Sequence, residues 1–121
     1  MQQNEKPFKM THTQFAQAIK RFADLHMLPM NHCANEGKRS IGEGYKLKKE
    51  GMMPGFPDCH FIRANEKYHG LYMELKVPPD KLSINQIICI DMLRAEGNFA
   101  DVYYNLDDAL DAICWFYGLE R

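Results

Sequence analysis

Glu74 and Lys76 stand one residue apart in the segment Leu71-Tyr72-Met73-Glu74-Leu75-Lys76-Val77. Side chains alternate across an extended strand. Leu71, Met73, Leu75 and Val77 would then share one apolar, buried face, and Tyr72, Glu74 and Lys76 the other. Charge removed from water is costly unless it is paired or coordinated, so a carboxylate and an ammonium on such a strand need partners. Asp58 is one: it opens a preceding apolar run, just after Gly55-Phe56-Pro57, and antiparallel pairing brings the start of one strand near the end of its neighbour. Two carboxylates and a lysine at one end of a sheet suit Mg²⁺ or Mn²⁺, which take oxygen ligands, and a lysine there can orient or help deprotonate a water. Such an ion supplies Lewis acidity and charge stabilisation on a phosphodiester. The chemistry expected of this set is phosphodiester hydrolysis. Glu-x-Lys by itself says little, since exposed strand faces often carry it. The weight lies in the order Gly-Phe-Pro-Asp58, a strand, Glu74-x-Lys76, then Ser83-x-x-Gln86.

The elements that must position these residues can be read along the chain. Residues 1–12 form a polar lead-in, and 13–121 a single domain. Thr13 is placed to cap a first helix whose Phe15, Ile19 and Phe22 form one apolar stripe, ended by Pro29. Met30 to Ala34 reads as a short strand, Asn35 to Gly44 as a loop, and Tyr45 to Glu50 as a short helix stopped by Gly51. Cys59 to Ala64 and His69 to Val77 read as strands close enough to form a hairpin. Ser83 and Gln86 match a capping box, opening a helix to about Glu96 that Gly97 closes. Phe99 to Tyr104 reads as a further strand. Asn105 or Asp107 then caps a last helix with the stripe Leu106, Leu110, Ile113 and Tyr117. This order predicts an α/β protein, a sheet covered by helices.

Composition narrows the function classes. Hydrophobic residues make up 45% and charged residues 26%, an ordinary globular profile. No apolar run is long enough to span a membrane and the N-terminus lacks a secretory signal, so a cytoplasmic protein is expected. Cys33, Cys59, Cys89 and Cys114 are widely spaced with no CxxC pair, which suits buried free thiols better than zinc ligands or a disulfide framework. The net charge of -1 does not advertise nucleic acid. Yet Glu36 to Glu50 holds Lys38, Arg39, Lys46, Lys48 and Lys49 against three acidic residues, a modest basic patch that doubles as an ordinary solvated loop. His60 falls on the same strand face as Asp58, where a histidine satisfied by a hydrogen bond is the commoner reading. Gln86 lies on a stripe with Ile90 and Leu93 that faces inward, so its side chain is claimed both by the cap and by the site.

Asn35-Glu36-Gly37-Lys38-Arg39-Ser40, Leu47 to Gly51, Pro54 to Asp58, His69 to Lys76 and Lys81 to Gln86, in this order, closely resemble the VRR-NUC nuclease family of the PD-(D/E)xK superfamily, over roughly residues 13–117. The resemblance implies a restriction-endonuclease-like α/β core with a mixed sheet flanked by helices. It implies Asp58 and Glu74 as metal ligands with the Leu75 carbonyl beside them, Lys76 on the attacking water, and Gln86 reaching in from the following helix. Glu36, in the Asn-Glu-Gly match, would be a further acidic ligand or a neighbour of the phosphate. Lys38, Arg39, Lys46, Lys48 and Lys49 are the candidate DNA contacts. The substrate implied is DNA, branched or flapped, cut by a homodimer in a bacterial or phage-infected cell. A non-catalytic DNA-binding module on the same fold is the alternative. Related nucleases often carry a metal-supporting glutamate in the first helix, and near that place this chain has Gln14.

Overall fold

The computed structural model describes residues 9–33 and 41–121. Its elements run α1 (His12–Leu25), β1 (Met30–His32), α2 (Ile41–Lys49), β2 (Cys59–Phe61), β3 (Leu71–Leu75), α3 (Ile84–Ala95), β4 (Phe99–Tyr103) and α4 (Leu106–Tyr117). The four strands lie in the order β1-β2-β3-β4. The β1–β2 and β2–β3 pairs are antiparallel and β3–β4 is parallel, so the sheet is mixed and β3 is one of its two inner strands. The parallel pair requires a crossover, and α3 is that crossover.

The apolar side of β3 builds the core. Leu71, Met73 and Leu75 are fully buried, with Phe15, Ile19 and Ala23 of α1 and Ala109, Ile113 and Phe116 of α4 in the same cluster. On α4 the buried stripe is thus rotated from the one expected: Ile113 is inside, whereas Leu106, Leu110 and Tyr117 pack only partly buried against it. Small Ala109 is what lets the helix come that close.

The strands are shorter than the sequence reading had them, β2 ending at Phe61 and β3 running from Leu71 to Leu75, and three helix boundaries also differ. The α1 N-cap is Thr11, not Thr13, and Gln14 closes a capping box with it, so the structured domain starts inside the supposed lead-in. Thr11 wins because its side chain has the glutamine three residues on that a capping box needs. α2 begins at Ile41, so 41–44 is helical where a loop was expected. The first helix stops at Leu25, well before Pro29. The capping box at Ser83 and the cap at Asn105 are as expected.

Gly55 fixes how the chain enters β2. It has φ +81, and a Cβ there would stand 2.4 Å from the Asn85 carbonyl carbon and 2.6 Å from the Gln86 amide nitrogen. Backbone therefore meets backbone between this loop and the first turn of α3, with room for no side chain. Gly55→Ala is expected to lower stability by about 2 kcal/mol or more, through the left-handed backbone and the overlap together. Gly51→Ala, also at positive φ but with nothing within 4 Å, should lose only the backbone share, about 1 kcal/mol. Urea unfolding of the two variants checks the difference.

Candidate active site

The β2–β3 register pairs Cys59 with Met73. Asp58 and Glu74 are the next residues past that end of the ladder, where the Leu75 N–H meets the Asp58 side chain. Asp58 is 0% exposed and Glu74 1%, the two buried acidic side chains among the described residues. Like charges set directly opposite on neighbouring strands repel, so this placement needs support.

The support is specific. Oδ2 of Asp58 accepts the Leu75 backbone N–H at 2.8 Å and lies 3.3 Å from Nε2 of His12 at the start of α1. Its Oδ1 is buried with no hydrogen-bond partner among the described residues. Glu74 receives a hydrogen bond from Gln86 Nε2 on Oε2 at 3.1 Å, and the same oxygen lies 3.8 Å from the Lys76 ammonium. In a strand a residue's N–H and C=O point the same way. The Leu75 carbonyl is therefore directed to the side where its amide meets Asp58.

Gln86 serves both roles claimed for it. Its Oε1 accepts the Ser83 N–H at 2.8 Å, closing the capping box, while its Nε2 reaches Glu74. The two ends of one amide are used separately, so cap and site do not compete. Gln14, by contrast, is committed to the α1 cap, its Oε1 accepting from the Thr11 N–H at 2.9 Å. The α1 residue at the site is His12, which the sequence reading passed over. It lay in the supposed lead-in, and nothing local marks it as close to Asp58.

Three thiols surround the carboxylates. Burial, and then Asp58 and Glu74, push the Cys59 thiol up to about 12. Burial and then Asp58 raise Cys33, and burial and then Glu74 raise Cys89. Burial and the neighbouring carboxylates thus both disfavour the thiolate at all three. His60 lies flat on Tyr72, ring centroids 4.0 Å apart, and burial lowers its pKa. Its partner is thus an aromatic ring rather than the hydrogen bond expected for it.

The orphaned Asp58 oxygen and the opposed carboxylates fit a hard divalent cation. Among the described residues, no three His, Cys, Asp or Glu side chains are already gathered as a metal cage. That suits an ion such as Mg²⁺, which keeps several waters and takes one or two carboxylates plus substrate phosphate. Of the candidate DNA contacts, Lys46, Lys48 and Lys49 are exposed on the last turn of α2. Glu36, Lys38 and Arg39 lie outside the described residues.

The sequence profile of the VRR-NUC domain matches residues 11–105. A solved structure described as a VRR_NUC domain protein superposes with a TM-score of 0.77 at 22% identity, covering 93% of each chain. A search of curated proteins gave no match.

In the absence of metal, Glu74→Gln is expected to raise stability by about 1 kcal/mol, because it removes one of two opposed buried charges. Gln86→Glu keeps a residue competent for the capping box but replaces the donor to Glu74 with a third carboxylate. It should lower stability by about 1 kcal/mol or more. Denaturant midpoints in EDTA measure both.

Proposed function

The chain belongs to the VRR-NUC domain family, and on that footing we propose that it is a Mg²⁺- or Mn²⁺-dependent DNA endonuclease acting on branched or flapped DNA. The observation that carries the reading is the pair of fully buried carboxylates set opposite each other, one with an oxygen that no protein donor satisfies. A binding module gains nothing from such a pair, which destabilises the fold that holds it.

Asp58 and Glu74, with the Leu75 carbonyl, are the residues that hold the ion, and the chemistry it supplies when bound is Lewis acidity and charge neutralisation at the scissile phosphate. The Leu75 N–H fixes Oδ2 of Asp58 and so aims Oδ1. Gln86 fixes Glu74 through Oε2. Lys76, its ammonium mostly buried beside Glu74, orients the attacking water and stabilises its deprotonated form. Lys46, Lys48 and Lys49 meet phosphates flanking the cut. The near-neutral net charge limits general affinity for duplex and leaves selection to the shape of the substrate.

A four-way junction is symmetric, and a chain of this size grips two arms most simply as a two-fold pair. The apolar stripe Ile84, Ile87, Ile88 and Met92, exposed on α3, gives such a pair surface to bury. Sedimentation equilibrium is expected to show a dimer at micromolar concentration. A monomer at all concentrations would remove the homodimer from this reading.

Cleavage is read with labelled junction, flap, single-stranded and linear duplex DNA in Mg²⁺, Mn²⁺ or EDTA. Cutting is expected with either metal, to be abolished by EDTA, and to fall by about a hundredfold or more in Asp58→Ala and Lys76→Ala. Lys48→Ala with Lys49→Ala should weaken binding and flatten its salt dependence. Binding without cutting, unchanged in Asp58→Ala, would make the protein a DNA-binding module on a nuclease fold.

A further inference from the structure

His12 is the residue through which α1 reaches the carboxylates. Its Nε2 is 3.3 Å from Asp58 Oδ2, longer than the roughly 2.7–2.9 Å of a charge-assisted hydrogen bond. Two donors on adjacent corners of an octahedral ion held at about 2.1 Å stand about 3 Å apart. An ion taken up by the Asp58 carboxylate would therefore have the imidazole within reach as a further ligand. The imidazole side chain is 32% exposed and lines a cleft between α1 and β1 that also carries Lys20 and His32. The imidazole is thus in contact both with solvent and with the buried Asp58. Gln14, at the place where an acidic first-helix residue was sought, is bound up in its own cap.

We propose that His12 is a protein ligand of the metal ion alongside Asp58 and Glu74, an inference that rests on the metal-dependent reading above. The three side chains are not gathered as a cluster in this structure. The repulsion between Asp58 and Glu74 opposes their approach, and a bound cation removes it. The consequence is selectivity. Mg²⁺ takes oxygen donors almost exclusively, whereas transition metals accept imidazole. An imidazole ligand therefore turns the site toward Mn²⁺ and away from Mg²⁺.

The test reads the ligand directly. Wild-type protein loaded with stoichiometric Mn²⁺ is examined by electron spin-echo spectroscopy for modulation from a directly bound ¹⁴N. The signal is expected in wild type, His32→Gln and His60→Gln, and lost in His12→Glu. Calorimetry with Mn²⁺ and Mg²⁺ is expected to show the preference for Mn²⁺ shrinking by about tenfold in His12→Glu. Bound Mn²⁺ without nitrogen modulation in wild type overturns the proposal while leaving the metal-dependent nuclease reading intact, as does modulation that survives in His12→Glu. A wild-type protein that takes up no Mn²⁺ overturns both.

Discussion

Two carboxylates buried opposite each other are the constraint around which the rest of this molecule is arranged. The register that pairs Cys59 with Met73 brings Asp58 and Glu74 to the same end of the β2–β3 ladder, and the fold answers with a support from several directions. Within the sheet, a β3 amide holds Asp58. From α3, an amide side chain holds Glu74; from α1, an imidazole comes against Asp58; and just past the end of β3 the Lys76 ammonium lies beside Glu74. None of these contacts neutralises both charges.

The polarity of β3 is what makes that state tolerable to the fold. One face of the strand is wholly apolar and gives the core Leu71, Met73 and Leu75. The other carries Tyr72, Glu74 and Lys76, and there the helix cover begins only with the first turn of α3. Destabilising chemistry is thereby confined to one end of the strand, where the start of α1 also reaches it. The apolar packing of α1 and α4 on the opposite face is left undisturbed.

Much of this was legible in the sequence, because it is encoded locally. The period-two alternation of 71–77 gave the strand, its faces and the outward direction of Glu74 and Lys76. Ser83 and Gln86 gave the start of α3, and Asn105 that of α4. The approach of Asp58 to Glu74 followed from the short connection between two apolar runs. What was not legible is tertiary. His12 comes to Asp58 across 46 residues, and no periodicity announces such a meeting. The rotation of α4 that buries Ala109 rather than Leu110 depends on what it packs against. Thr11 and Thr13 are both competent caps, and only the partnership with Gln14 separates them. Gly55 read as a turn residue, whereas its tighter requirement comes from the α3 backbone lying against it.

Gln86 ties a buried carboxylate to the most easily frayed part of a helix. Terminal turns open and close far more often than helix interiors, and here opening the first turn of α3 means releasing the amide that steadies Glu74. Order in that turn and order in the site are therefore one equilibrium rather than two. Anything that clamps the start of α3 also holds Glu74 in place, because a single side chain reaches both ways.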